Sequence, residues 1–247
     1  IKKQKIKKKS LSAKKTILKL SNEQLKNPKI LKIFNQFKNS LKIKKNFAIA
    51  VSGGADSLAL AFLASCYAAN KKLNLKAYIV DHKLRKESSL EAKNVKDQLK
   101  KIKVKSKILV WKGKKPSQNI QAIARENRYN LLLKQCQKDS LKFLLLGHHV
   151  DDLYENFLIR MLRGSGLKGL TSFGTTSEYK KNDISIIRPM MGIKKKDLIF
   201  LAKKVFKYFI NDPSNVNKNF KRIRIRFLID ELEKEGLDKE KLKLTIN

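Results

Sequence analysis

The sequence predicts an α/β fold: a doubly wound, mostly parallel sheet with a helical C-terminal tail. Two observations carry this. From Phe47 onward, short, mainly apolar runs alternate with helical patterns, as in parallel sheets covered on both faces. After Arg188-Pro189 the alternation stops and only helical spacing continues.

The strands are expected at Phe47–Val51, Leu75–Val80, Ser106–Trp111, Phe143–Leu146 and Ile184–Ile187, each a short Ile-, Leu-, Val- or Phe-bearing run. Helical patterns lie between them near Ser57–Ala69, Ser88–Ile102, Ser117–Cys136 and Asp151–Leu162. The tail reads as helix over Lys194–Phe206, a turn at Asp212-Pro213-Ser214-Asn215, then helix over Asn219–Glu235. Ahead of the first strand, Ile17, Leu18, Leu20 and Leu25, then Ile30, Leu31, Ile33, Phe34 and Phe37, are spaced as in short basic amphipathic helices. The chain therefore divides into a basic N-terminal extension (1–46), an α/β domain (47–190) and a helical basic tail (191–247).

The charge balance is lopsided: 58 Lys and Arg against 21 Asp and Glu give +37 over 247 residues. A polyanion, most simply nucleic acid, is the natural partner. Because 49 of those 58 cations are Lys in a chain also rich in Ile and Asn, nucleotide composition alone could produce part of the bias. Residues 1–46 carry 16 Lys and one acid, Glu23, and read as an RNA-contacting arm or a solvated extension. A cytoplasmic location is expected; an organelle presequence is the alternative, although such peptides favour Arg. No apolar run approaches the ~18 residues that span a bilayer, so no membrane partner is expected. Cys66 and Cys136 form no CxxC, which argues against a zinc knuckle, an iron–sulfur site or a disulfide framework.

The first strand runs directly into Ser52-Gly53-Gly54-Ala55-Asp56-Ser57 and then an apolar helix. Glycines let the backbone turn sharply and approach a ligand, the helix N-terminus offers N–H groups to an anion, and the two serine hydroxyls add hydrogen bonds. This is a phosphate cradle, but no GxxxxGK[ST] occurs, so it is not a Walker A loop. Gly164-Ser165-Gly166-Leu167-Lys168-Gly169 formally matches GxGxxG but follows a helix, so the dinucleotide-binding context fails. All three histidines follow expected strands: His82 after Asp81, and His148-His149 ahead of Asp151, Asp152 and Glu155. In open α/β sheets ligands sit at those carboxyl ends. Carboxylates beside phosphates suit Mg²⁺ better than zinc, because adjacent histidines on extended backbone point apart.

These segments resemble the N-type ATP pyrophosphatases, which carry an SGGxDS loop and split ATP between its α and β phosphates. Within that superfamily the resemblance is closest to the tRNA(Ile)-lysidine synthetase family. Val80-Asp81-His82-Lys83-Leu84-Arg85 with Glu87-Ser88 is similar to its VDHxLRxES element, and Ala124-Arg125-Glu126-Asn127-Arg128-Tyr129 to its ARExRY helix. His148-His149-Val150-Asp151-Asp152-Leu153-Tyr154-Glu155 resembles HHxDDxxE, and it continues into Arg160 to Leu170. Ile187-Arg188-Pro189-Met190, and Asp212 to Asn215 with Arg222, Arg224 and Arg226, match further downstream. Leu153 and Asn156 stand where the family usually has Gln and Thr. Many members also carry further C-terminal domains, so the end at Asn247 leaves acceptor-side recognition open.

The resemblance implies ATP and Mg²⁺ as cofactors, with a CAU-anticodon isoleucine tRNA and free lysine as substrates; a homodimer stays open. It implies an adenylated wobble cytidine that lysine then attacks at C2. It places ATP on Ser52, Gly53, Gly54, Ala55, Asp56, Ser57, His82 and His148. Asp81, Asp151, Asp152 and Glu155 become the catalytic carboxylates, Asp152 also a Mg²⁺ ligand. Arg163, Arg188, Arg222, Arg224 and Arg226 become RNA contacts. Asp56 and Asp152 are assigned to the ATP side, and Asp81, Asp151 and Glu155 to the lysine side. Independently, all nine arginines of this Lys-biased chain fall inside the matching blocks, where a rigid fork does what Lys cannot. A tRNA thiolase or a small-molecule amide-forming synthetase would share the ATP loop. A basic RNA-binding module with a decayed ATP site is the non-enzymatic reading.

Overall fold

In the computed structural model, which describes residues 23–113, 118, 120–171, 178–181, 183–210 and 218–246, the expected parallel sheet is present. Its parallel strands are β1 (Phe47–Ala50), β2 (Leu75–Asp81), β3 (Lys105–Val110), β4 (Phe143–Leu145) and β6 (Ile184–Ile187). A further strand, β5 (Glu178–Lys181), pairs antiparallel with β6 at the edge, giving the order β3-β2-β1-β4-β6-β5. The strand reading did not include β5, whose Glu-Tyr-Lys-Lys sequence carries no apolar alternation. The turn expected at Asp212 to Asn215 lies outside the described residues.

The chain fills one side of β1 with β2 and β3, then returns to the other side with β4. That reversal is a topological switch point, and it brings the residues after β1 alongside those after β4. The register fixes this closely: Ala48 and Ile49 pair with Leu144 and Leu145.

Strand side chains alternate between two cores, as the period of two demands. Phe47, Ile49 and Val51 enter one; Ala48 enters the other, with Tyr78, Leu144 and Leu146 under α4 (Ile120–Lys138). The larger core is built around α2 (Ala55–Asn70), whose Ala-Asp-Ser-Leu-Ala-Leu-Ala-Phe-Leu start is apolar nearly all round. Such a helix needs cover on every side. The sheet covers one; α3 (Ser88–Lys101) contributes Ala92, Val95 and Leu99, and α7 (Lys195–Phe206) contributes Leu198, Leu201 and Phe206.

Helix α1 (Pro28–Asn39) belongs to the same core. Asn27 Oδ1 caps it through the N–H groups of Lys29 (3.0 Å) and Ile30 (3.2 Å), with Pro28 in the first turn. Ile30, Ile33, Phe34 and Phe37, at i, i+3, i+4 and i+7, are buried. Packing is thus continuous across residue 46, and through α7 across residue 190. A separate apolar cluster joins α5 (Val150–Met161), α8 (Lys221–Lys234) and α9 (Lys239–Ile246), while α6 (Leu167–Thr171) forms a short link. Among the described residues no helix is long and apolar enough to cross a membrane.

Candidate nucleotide and amine site

The turn after β1 is held by Ser57. Its Oγ accepts from the N–H groups of Ser52 (3.2 Å) and Gly53 (3.0 Å) and donates to Gly54 O (2.9 Å). Gly53 has φ +95°, and a Cβ there would lie 2.5 Å from Val95 Cγ2 and 2.6 Å from Ile210 Cδ1. Ile210 N–H donates to Gly53 O at 2.9 Å, so the chain leaving α7 straps the turn from outside. Gly54 is the N-cap of α2 and no side chain caps it, which leaves the helix N-terminus for an anion.

The second ligand-side turn is organised by His149, the N-cap of α5. Its main-chain N–H donates to Asp152 Oδ2 at 3.0 Å. Its Nδ1 lies 3.3 Å from Asp151 Oδ2, and its Nε2 lies 3.6 Å from Asp56 Oδ2 and 3.7 Å from Asp152 Oδ2. Burial alone would lower the pKa of this ring, but the bonds to Asp151 and Asp56 and the charges of Asp152 and Asp56 raise it to about 9. Nδ1 also sits 3.2 Å from the N–H of Asp151, which a doubly protonated ring cannot accept. With three carboxylates around it the imidazolium wins, and Nδ1–H donates to Asp151 Oδ2. His148 has the opposite fate: burial, aided by Arg188, Arg125 and Arg128 against Asp152, lowers its pKa to about 3, so it is neutral.

A testable consequence follows from the raised value. The ordinary pKa is 6.5, so the stabilisation is fully present below pH 6.5 and is lost as pH rises through about 9. The shift corresponds to about 3 kcal/mol. Unfolding free energy should therefore fall across that window, and in His149→Gln denaturation curves at pH 6 and pH 9.5 should move closer together. An unaltered pH dependence in that variant would contradict the imidazolium.

Two cavities meet at this wall. The first, about 490 Å³, is lined by Ser52, Gly54, Asp56, Ser57, His82, His148 and Asp152, by Arg125, Arg128 and Arg222, and by apolar Val80, Tyr129 and Leu132. The second, about 270 Å³, is lined by His149, Asp151, Glu155, Lys195, Arg226, Asp230 and Lys239. Lys195 Nζ lies 2.7 Å from Asp56 Oδ2, on the partition. Glu155, only 2 % exposed, is gripped by Arg226 Nε at 2.6 Å and Arg222 Nε at 3.7 Å.

The residues singled out in the sequence are therefore sorted. The Ser52–Ser57 turn, His82, His148, Asp152, Asp151 and Glu155 surround these cavities. Asp81, expected as a catalytic carboxylate, is not among them. Its Oδ1 accepts from Lys83 N–H (3.0 Å) and Ser88 Oγ (2.8 Å), its Oδ2 accepts from Ser89 Oγ (2.7 Å), and it lines neither cavity. The five arginines proposed for RNA also separate. Arg163 is exposed, whereas Arg188 is buried close enough to His148 for its charge to act on that ring. Arg224 donates to the carbonyls of Lys218 and Asn219, both at 2.9 Å, and Arg222 and Arg226 hold Glu155. The sequence assigned no site role to Arg125, Arg128 or Lys195, and it marked His149 only as one of three histidines at ligand-side strand ends. The arginines were visible as Arg kept in a Lys-biased chain; Lys195 was one lysine among 49.

The donor set suits a hard cation held jointly with phosphates. Asp56 and Asp152 both face the first cavity, and Asp56 Oδ1 is buried without a hydrogen-bond partner. Among the described residues no group of three or more His, Cys, Asp or Glu side chains is arranged to hold a metal by itself. Two carboxylates plus phosphate oxygens and water is the usual Mg²⁺ arrangement.

A family model for the PP-loop domain matches residues 23–232. The chain is 42 % identical over 197 residues to a tRNA(Ile)-lysidine synthase of Orientia tsutsugamushi, covering 79 % of this chain and 43 % of that protein. It is 37 % identical over 218 residues to one from Wolbachia pipientis wMel, covering 86 % and 50 %, and 36 % identical over 204 residues to one from Bradyrhizobium diazoefficiens, covering 82 % and 56 %. The chain thus spans about half the length of the curated relatives it matches. Among solved structures, the U34-tRNA thiolase NcsA of Methanococcus maripaludis is similar in fold, with TM-score 0.73 and 20 % identity, covering 88 % of this chain and 76 % of that one.

Proposed function

The chain belongs to the PP-loop family, and on that premise we propose that it ligates free lysine to C2 of the wobble cytidine in a CAU-anticodon isoleucine tRNA. One observation carries the reading: a cavity lined by the carboxylates Asp151, Glu155 and Asp230 and by the cations Lys195, Arg226 and Lys239 abuts the phosphate cradle across the Asp56–His149–Asp152 wall. A nucleotide fits the first cavity, with its phosphates on the Ser52–Ser57 turn. The second, with groups of both signs, suits an amino acid that carries ammonium and carboxylate together.

In the first step cytidine O2 attacks the α-phosphorus and pyrophosphate leaves. The N-terminus of α2 and the cations Arg125, Arg128 and Arg222 stabilise the charge on the phosphates. Asp56 and Asp152 would hold Mg²⁺, which when bound neutralises charge on the departing pyrophosphate. Neutral His148 can donate a hydrogen bond to the phosphates without adding a charge. In the second step the lysine ε-amine forms a bond to C2, and the C2–O bond breaks with the oxygen leaving on AMP. At pH 7 an ordinary ammonium with pKa near 10.4 must lose a proton at a cost of roughly 4–5 kcal/mol. Among Asp151, Asp152 and Glu155, Asp151 has the most exposed side chain, 32 % against 12 % and 3 %, and is the one of the three best placed to meet that ammonium. Anticodon bases are already single-stranded, so presenting C2 to the first cavity costs little pairing energy.

Transfer of sulfur is the other reaction to weigh. Cys66 and Cys136 are buried in separate cores and line neither cavity, and burial pushes the Cys136 thiol up to about 12. That disfavours a thiolate at the site. The test is pyrophosphate release from ATP with and without CAU tRNA and free lysine. Release that requires the tRNA, with lysine needed for AMP to follow, is expected. RNA-independent release would point to a small-molecule synthetase instead.

A further inference from the structure

We propose that Lys195 is a positioning residue that sets the spacing between the phosphate-cradling turn and the acidic start of α5, a role that rests on the reaction proposed above. Lys195 is the first residue of α7. Its Nζ lies 2.7 Å from Asp56 Oδ2 in the first turn of α2, and its main-chain N–H donates to Asp151 Oδ2 at 3.3 Å in the first turn of α5. One residue thus grips both helices whose N-termini face the cavities.

An exposed Lys–Asp pair ordinarily contributes little, and 41 % of the Lys195 side chain is exposed. Three features set this one apart. The lysine is anchored from behind, because α7 buries Leu198, Leu201 and Phe206 against α2. Asp56 is held through one oxygen: Oδ2 is shared by Lys195 Nζ at 2.7 Å and His149 Nε2 at 3.6 Å, while Oδ1 is buried without a hydrogen-bond partner. The main-chain leg to Asp151 survives any substitution, so replacing the side chain cuts one leg of the strut and leaves the other. With that leg cut, Asp56 is left to the longer contact with His149, which draws it toward the start of α5 and off its place beside the cradle. A displacement of about 1 Å in such a site costs on the order of 100-fold in rate while leaving binding largely intact.

The experiment uses the full chain and follows tRNA- and lysine-dependent pyrophosphate release, with a thermal midpoint for every variant. Lys195→Met should lower kcat about 30-fold and change KM for ATP less than about 3-fold, and Lys195→Arg should recover most of the loss. The decisive readout is the double variant. Because Lys195 acts through Asp56, adding Lys195→Met to Asp56→Asn should cost less than about 2-fold further. Lys195→Gln replaces Lys195→Met if the latter is unfolded at the assay temperature. A kcat unchanged in Lys195→Met overturns the role. So does the full loss repeated in the Asp56→Asn background, which would make Lys195 a direct substrate contact. No pyrophosphate from the unaltered chain would contradict the reaction itself, and with it this role.

Discussion

Gly53→Ala is expected to abolish pyrophosphate release and to lower the thermal midpoint by about 10 °C. At φ +95° an alanine is strained, and its methyl group would meet Val95 Cγ2 at 2.5 Å and Ile210 Cδ1 at 2.6 Å. Strain in a left-handed backbone and overpacking together amount to about 3–4 kcal/mol, which in a domain of this size corresponds to that shift in midpoint. Relief requires the turn to move off α3 or the strap at Ile210 to lift, and either displaces the N–H groups that Ser57 gathers. Gly54→Ala is the matched control. Gly54 has φ −70°, and its nearest Cβ neighbour is Ile210 O at 4.0 Å, so the midpoint should stay within about 2 °C. Equal midpoints for the two variants, measured by circular dichroism, would refute the assigned backbone geometry.

The second large effect is at Glu155. Arg226→Ala leaves a carboxylate that is 2 % exposed with, among the described residues, only Arg222, 3.7 Å away, as a charge partner. Stranding a buried charge costs about 3–5 kcal/mol; because 37 % of the Arg226 side chain is exposed and water can enter where it was, about 2–3 kcal/mol is expected. The loss should fall on the docking of α8 against α5, where Ile225 and Ile229 pack on Leu153 and Leu158, and so on the second cavity. Removing the stranded charge separates stability from activity. Glu155→Gln added to Arg226→Ala should recover most of the lost midpoint but no lysine-dependent turnover. Recovery of both would show that Glu155 serves the fold alone.

How much of this was legible in the sequence differs from element to element. Ile184–Ile187 was legible to the residue, because three β-branched isoleucines in four residues, closed by Arg188-Pro189, favour a short buried strand. β5 was not, since an edge strand of Glu, Tyr and Lys is set by pairing with β6 and not by its own pattern. The apolar spacing of Ile30, Ile33, Phe34 and Phe37 was visible, yet the 16 lysines of residues 1–46 outweighed it and suggested an extension. Those four side chains are buried beside α2 in the main core. At the site, the Ser52–Ser57 turn and the His148–Glu155 block read directly, because each is contiguous in sequence and the switch point brings them together. Asp81 shows what contiguity alone does not tell: its neighbour His82 faces the first cavity, whereas Ser88 and Ser89 curl back to hold the carboxylate. Lys195 depends on a contact 139 residues away in sequence and left no local signature.

The central claim is the joining of lysine to one cytidine, and labelled lysine tests it most directly. The chain would be incubated with ATP, radiolabelled lysine and CAU-anticodon tRNA, and the RNA digested to nucleosides. One labelled nucleoside per tRNA is predicted, dependent on ATP and absent when the wobble cytidine is replaced by uridine. Pyrophosphate release with no label in the RNA would contradict the account and assign the cradle to a different PP-loop reaction.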